Sequence, residues 1–348
     1  MKVAIVILNY NGKIHLETYV PSVVKHTPEW AEVIIADNGS SDDSLSFLNS
    51  QYPQLRTIVL DKNYGFAGGY NKALEHVKAE YYVLLNSDVE VTAGWLEIII
   101  DEMDGNEQIA AAQPKIKSVE RPNYFEYAGA SGGFIDKYGY TFCRGRLFDN
   151  CERDIGQHDD VREVFWATGA CLVIRSDAYW KVDGLDEDFF AHMEEIDLCW
   201  RLKNQDYQIY CFPKSVIFHL GGGTLGAQSS RKTYLNFRNN ISLIVKNDYR
   251  KGIASLIFRR MILDGAAAVS LLFSRGISHF FAVLKAHLYF YKNFNSLRAK
   301  RRYWREKKTT FNQTGYYRES VVRDFFIGKK KVFGALPSRF FIRQDRRK

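Results

Sequence analysis

Four groups of polar residues have the types and spacing to do chemistry. Asn86-Ser87-Asp88 follows the apolar run Tyr82-Val83-Leu84-Leu85. A carboxylate fixed at a strand end is a ligand for a hard cation such as Mg2+ or Mn2+, which takes oxygen donors and often shares substrate phosphates. The tripeptide also suits a plain turn, where Asn, Ser and Asp are common. Glu194, Glu195 and Asp197 crowd three carboxylates into four positions. Their repulsion raises at least one pKa, and such a carboxylate can serve as general base. Acidic residues are equally at home in the first turn of a helix, where the helix dipole favours them. On a helix Glu194 and Asp197 share a face and Glu195 points elsewhere, so the three are not equivalent. Asp37 can accept from a ribose or base edge, or simply precede a helix capped by Ser40 or Ser41. His219, ahead of Leu220 and three glycines, can ligate a metal or donate to a phosphate, although a lone histidine is more often structural.

These groups sit where an α/β sheet would hold them. Val3–Leu8, Val33–Ala36, Thr57–Leu60 and Tyr81–Leu85 are short apolar runs, as buried parallel strands are. A helix is expected around Leu16–Lys25, another after Gly65-Phe66-Ala67-Gly68-Gly69, and an amphipathic one over Glu194–Leu202. Alternating strands and helices indicate a largely parallel sheet, and ligands of such sheets lie beyond the strands' carboxyl ends. Asn9–Asn11, Asp37–Ser40 and Asn86–Asp88 all fall there. Residues 105–165 look less regular, rich in Gly and Tyr, and are expected to form long loops. Val216–Leu220 reads as a last strand.

The 348 residues carry a net charge of +8, and that average hides a split. Residues 1–230 hold 20 Lys and Arg against 34 Asp and Glu; residues 231–348 hold 28 against 6. The composition, 46% hydrophobic and 25% charged, is that of a folded globular chain and excludes a disordered or collagen-like one. Five scattered cysteines without CxxC spacing argue against a disulfide framework or a zinc site. The N-terminal apolar run is too short for a membrane span and lacks a signal-type cleavage site, so a cytoplasmic location is expected.

In order and spacing the motifs resemble the inverting family-2 glycosyltransferases of the GT-A fold, most closely the bacterial rhamnosyltransferase-like branch. The resemblance covers about residues 1–250. It rests on Val6-Ile7-Leu8-Asn9-Tyr10-Asn11-Gly12, Asp37-Asn38-Gly39-Ser40-Ser41-Asp42, Asn63-Tyr64-Gly65-Phe66-Ala67-Gly68-Gly69-Tyr70-Asn71 and Leu85-Asn86-Ser87-Asp88. Trp166-Ala167-Thr168-Gly169, Gly184-Leu185-Asp186-Glu187-Asp188-Phe189-Phe190 and Glu194-Glu195-Ile196-Asp197 complete the set. The resemblance implies that Asn9, Tyr10, Asn11, Asp37, Asn63, Gly65, Phe66, Asn71 and Asn86 contact a nucleoside-diphosphate sugar. It implies that Asp88, with His219, holds Mg2+ or Mn2+, and that Glu195 is the base, with Glu194 and Asp197 as the other candidates. Trp166, Thr168 and Gly169 are expected near the acceptor, with Arg231, Lys232 and Arg238 near the diphosphate. The branch points to rhamnose as the sugar and to a glycan on a polyprenyl diphosphate as the acceptor. A nucleotidyltransferase is a weaker match, since the Gly-rich basic loop it needs is absent after the first strand.

The boundary between a catalytic unit and a basic helical unit is expected near residue 231. In the second unit Tyr234–Val245 and Ile253–Tyr291 are helical in pattern, with Lys/Arg clusters from Arg298 to Lys308, at Lys329–Lys331 and over Arg339–Lys348. Neither of its apolar stretches, Met261–Phe273 and Ile277–Tyr291, reaches the roughly 20 residues a spanning helix requires. Apolar faces flanked by Lys and Arg suit an anionic membrane surface, and also a homo-oligomer contact. Nucleic acid is not expected as a partner, because it leaves the acidic half and its motifs without a role.

Overall fold

A computed structural model of the chain describes residues 1–221 and 229–343. Its central sheet grows from β1 (Val3–Asn9), flanked by β2 (Ala31–Asp37) and β4 (Tyr81–Asn86), with β3 (Arg56–Val59) outside β2. All four are parallel. Beyond β4 come β12 (Cys171–Arg175), β6 (Ile109–Ser118), β13 (Gln208–His219) and the two-residue β11 (Arg162–Glu163). Strand β12 runs antiparallel to both neighbours, and β13 is again parallel to β6. The short β5 (Val89–Val91) pairs antiparallel with the end of β13.

The pleat explains why β1 is apolar throughout. Val3, Ile5 and Ile7 join one core with Leu16, Val20 and Val23 of α1 (Lys13–His26), Leu48 of α2 (Ser44–Gln51) and Ile99 and Ile100 of α4 (Glu97–Asp104). Ala4 and Val6 join the opposite core with Tyr70 and Leu74 of α3 (Gly65–Leu74), Tyr179 of α5 (Ser176–Lys181) and Leu198 of α6 (Glu194–Lys203). Side chains alternate at period two, so a strand covered on both faces needs apolar residues at both parities.

The stretch expected to be loops is more ordered than that. Besides β6 it holds a second sheet in the order β10-β9-β8-β7-β14, from β7 (Gly133–Asp136), β8 (Thr141–Cys143), β9 (Arg146–Leu147), β10 (Asn150–Cys151) and, from far down the chain, β14 (Tyr316–Tyr317). Strands this short leave too little alternation to read. The basic region also departs from expectation. After α7 (Ser230–Asn247), α8 (Ile253–Arg275), α9 (Ile277–Lys292) and α10 (Phe294–Lys307), the chain returns through β14 and α11 (Val321–Phe326). Trp304, Tyr317, Val321 and Leu336 lie in the same core as α3 and α6. Beyond residue 231 the chain thus shares part of the first unit's core and also has a small cluster of its own, formed by Ile241, Val245, Phe290 and Leu297. The glycines after Gly221 and the basic residues beyond Arg343 lie outside the described residues.

Candidate active site

The parallel register sets Asn9 beside Asp37 at the carboxyl ends of β1 and β2. The Asn9 amide donates to Asp37 at 3.0 Å and to the Ser40 hydroxyl at 3.1 Å. The Ser40 N–H donates to the other Asp37 oxygen at 2.9 Å. Asp37 is fully buried and acts from beneath the loop. Asn11, at φ 50°, accepts from the Ser41 N–H at 2.7 Å, which ties the two loops together, and Tyr10 lies exposed above them. Asn38 extends the weave: it donates to the Asn63 side chain at 3.2 Å and the Gly65 carbonyl at 2.9 Å, and accepts from the Tyr64 N–H. Asn38 was not singled out from the sequence as a site residue. Its place inside the Asp37-Asn38-Gly39 motif was the available signal.

A second cluster forms where β4 ends. Pairing of β5 with β13 sets His219 opposite Val89 and so next to Asp88. His219 Nε2 lies 3.1 Å from Asp88 Oδ1 and 3.3 Å from the Asn86 amide nitrogen. On the other side of the ring, Nδ1 is 3.2 Å from Glu126 Oε2. Burial opposes charge on the imidazole, but Asp88 and Glu126 overcome it and push the pKa up to about 10. Burial also works against the Asp88 carboxylate, and His219 more than offsets it, leaving its pKa lowered.

Asp88 and His219 offer a divalent cation of the Mg2+ type an oxygen and a nitrogen side by side, provided the ring gives up the proton it shares with Asp88. Two neighbouring ligands on an octahedral ion with bonds of about 2.1 Å stand about 3 Å apart, close to the Asp88–His219 separation. A carboxylate on the far ring nitrogen is the usual way a metal-binding histidine is oriented. Among the described residues no group of three or more His, Cys, Asp or Glu forms a closed metal cage. Glu126 was missed from the sequence, where nothing in Phe125-Glu126-Tyr127 marks it.

The three acids of α6 separate into distinct roles. Asp197 is fully buried; it pairs with Arg201 and Lys246 at 2.8 Å each and accepts from Asn247 at 2.7 Å. It is a structural hub and not a base. Glu194 is buried, and burial together with the neighbouring Glu195 charge pushes its carboxyl far up. Glu195 is half-buried as a residue, with its Oε2 enclosed. Burial raises its pKa to about 7, against the pull of its own N–H and those of Ile196, Gly169 and Met193. Cys143, whose thiol is raised first by burial, is within electrostatic range of both Glu126 and Glu195. The segment leading into α6 is strained, with Phe190, His192 and Met193 at φ 61°, 70° and 72°. Such outliers persist only where surroundings fix them, and here Asn239 of α7 donates to the carbonyls of Phe189, Ala191 and His192 at 2.6–3.0 Å.

Other expected site residues have different roles. Trp166 is buried and donates its indole N–H to the Phe134 carbonyl at 2.9 Å, so it is a core residue with no face for a sugar. Thr168 is buried, with its N–H on Gln113 at 3.0 Å and its hydroxyl accepting from Ala170. Gly169 does border the site, since a Cβ there would meet Phe66 at 3.3 Å and Glu195 at 3.7 Å. Phe66 stands edge-on to Tyr70, and its N–H is taken by the Phe190 carbonyl at 2.8 Å. Asn71 is spent within the fold: its amide donates to the Leu185 carbonyl and its oxygen accepts from Tyr179 and the Leu185 N–H. Arg238 is spent likewise on the carbonyls of Asp188 and Phe189. Arg231 is exposed, with its guanidinium 5.3 Å from the Phe190 ring.

A mostly parallel sheet in which β12, between β4 and β6, runs against both neighbours is the GT-A arrangement. The family model for glycosyl transferase family 2 matches residues 4–183, and the chain belongs to that family. It is 24% identical over 233 residues to an N-acetylglucosaminyl-diphospho-decaprenol L-rhamnosyltransferase of Mycobacterium tuberculosis, covering 62% of this chain and 75% of that protein. It is also 24% identical over 290 residues to the low-salt glycan biosynthesis hexosyltransferase Agl10 of Haloferax volcanii, covering 79% and 86%. Among solved structures, S. aureus TarS 1-349 aligns with a TM-score of 0.53 at 14% identity, over 92% of this chain and 99% of that one. GalNAc-T7 with UDP, GalNAc and Mn2+ aligns with a TM-score of 0.63 at 14% identity, over 89% of this chain; this chain spans 55% of its length.

Proposed function

We propose that this chain is an inverting glycosyltransferase that moves a sugar from a nucleoside diphosphate to a glycan acceptor in cell-surface polysaccharide synthesis. One observation carries the reading: Glu195, with its pKa raised to about 7, borders Gly169, the neighbour of Ala170, whose carbonyl accepts from the Asn86 N–H at the end of β4. Glu195 accepts the proton of the acceptor hydroxyl as that oxygen attacks the anomeric carbon, and a base poised near neutral pH is suited to that step. A single displacement inverts the anomeric centre. Buried Glu194, with its pKa far up, stays protonated, so that one carboxylate of the pair remains to act. Asp88, with His219 held by Glu126, would hold Mg2+ or Mn2+. Such an ion, when bound, supplies positive charge to the departing diphosphate. Arg231, exposed at the start of α7, would serve the diphosphate as a bidentate donor. The loops of Asn9–Asn11, Asp37–Ser41 and Asn63–Phe66 hold the nucleotide.

The M. tuberculosis relative supports rhamnose as donor sugar and a polyprenyl-diphosphate-linked acceptor. GalNAc-T7 and the Pyrobaculum mannosyltransferase, both solved with Mn2+, support the metal. No helix among the described residues is long and apolar enough to cross a membrane, and a lipid-linked acceptor calls for attachment at the bilayer surface. The test is release of nucleoside diphosphate from dTDP-rhamnose, UDP-N-acetylglucosamine and GDP-mannose, with and without Mn2+ or Mg2+. One donor should be consumed only when the metal is present. Failure of every donor in the presence of metal and a lipid-linked acceptor would refute the reading.

A further inference from the structure

Helices α8 and α9 form a hairpin turned at a single residue, Gly276, whose φ of 93° favours glycine. The side of α9 that carries Ala282, Val283, Ala286 and Phe290 is buried. On the outer side, Ile277, Phe281, Leu284, Leu288 and Tyr291 are all exposed. Their steps of four, three, four and three make one continuous stripe along a helix. In α8 the exposed apolar residues Phe258, Ile262, Val269 and Phe273 repeat at helical spacing as well. Phe273, at 84% exposure the most open large apolar residue of the chain's described part, sits at the tip.

The charges around these stripes have one sign. Between Ile253 and Lys292 the only acid is Asp264, which is fully buried and paired with Arg260 at 2.8 Å. The exposed charges are Arg259, Arg275, Lys285 and Lys292. The tip also lies near the catalytic face. His279 at the start of α9 is 2.8 Å from Thr233 of α7, and the adjacent Lys232 is within electrostatic range of Glu126 on one side and Arg275 on the other.

We propose that the α8–α9 hairpin lies in the interface of an anionic bilayer, with its apolar stripes among the acyl chains, its cations at the headgroups and the catalytic mouth beside it. An apolar face bordered by Lys and Arg is what such an interface selects. A second copy of the chain fits less well: a two-fold contact sets a patch against itself and would bring these cations together with no acid between them. A nucleic-acid backbone would match the cations and leave the stripes uncovered. The inference deepens the reading of a lipid-linked acceptor, yet docking can be measured with no reaction at all.

The test is cosedimentation of the full chain with phosphatidylcholine vesicles, with and without phosphatidylglycerol, at low and high salt. The wild type should bind the anionic vesicles at low salt and weaken as salt rises. The triple variant Phe273→Glu, Ile277→Glu, Phe281→Glu should lose about tenfold or more of that binding with an unchanged melting temperature, since all three side chains are exposed. Arg275→Ala and Lys285→Ala should each cost about fivefold on anionic vesicles only. Wild type that stays in the supernatant at low salt would overturn the proposal, as would a triple variant that sediments like wild type. So would a wild-type dimer that the triple variant converts to monomer while vesicle binding is unaltered. Metal-dependent release of nucleoside diphosphate reads the catalytic assignment separately.

Discussion

Two adjacent carboxylates titrate differently because their surroundings differ. Glu194 is buried without an oppositely charged neighbour to hold its charge, whereas Glu195 meets a row of backbone N–H groups, which keeps its pKa near 7. The base must be ionised to accept a proton, so transfer should rise with pH along a limb centred near 7 and level off above it. Steady-state rates over pH 5.5–9, a range of ordinary buffers around that value, should show the limb in wild type. At the metal cluster, Glu126→Ala frees the His219 ring while leaving Asp88 in place. Loss of such a supporting carboxylate typically weakens metal affinity about 10- to 100-fold, which calorimetry with Mn2+ would read directly. The residues alone did not separate the three acids; the family resemblance pointed to Glu195, with Glu194 and Asp197 as the other candidates. Asp197 was removed from contention by Lys246 and Asn247, some fifty positions further on, and such pairing leaves no local trace. Glu126 was invisible for the same reason, since its importance comes from His219, nearly a hundred residues away.

At the scale of elements, α6 is clamped by α7 and α10. Asp186 is bonded by Lys246 at 2.7 Å and by Lys300 at 2.6 Å, while Asp197 takes Lys246 from the other side. Asp197→Ala would leave Lys246 and Arg201 buried with a missing partner, and breaking a buried pair in this way typically costs about 3–5 kcal/mol. Urea unfolding should show that loss, with Asp197→Asn milder. Burial disfavours charge on Asp186, but Lys246 and Lys300 overcome it and hold the carboxyl well below its ordinary range. Its contribution is therefore full above about pH 4, the unfolded carboxylate value, and fades as pH falls below it. Wild type should lose stability on acidification more steeply than Lys300→Met. Gly65 marks a second constraint: it sits at φ 74°, and a Cβ there would come 2.6 Å from the Phe190 ring. Gly65→Ala should lower the melting temperature and loosen nucleotide binding together. The strands of the parallel sheet were legible because double-sided burial demands unbroken apolar runs. The second sheet was not, because strands of two to four residues carry no readable period and one of them comes from residue 316.

For the whole molecule, the charge changes sign near residue 231 while part of the core runs across that point. The acidic part carries the strand-end loops and the carboxylates, and the basic part supplies α7, which fixes the strained entry to α6, and an outer hairpin. Yet Trp304, Tyr317 and Leu336 complete the core behind the catalytic face. Truncation near 231 should therefore yield insoluble or molten protein and not an active domain, as near-UV circular dichroism and expression tests would show. Composition could reveal the charge boundary, but only the return of the chain through β14 and α11 reveals that the core is shared. The central claim is that Glu195 is the base of a metal-assisted transfer, and single-turnover transfer by Glu195→Gln beside Glu194→Gln tests it most directly. Glu195→Gln should bind donor normally and transfer about 100- to 10,000-fold more slowly, with the limb near pH 7 gone, while Glu194→Gln keeps most of its rate. Full transfer by Glu195→Gln, with the pH limb intact, would contradict the account.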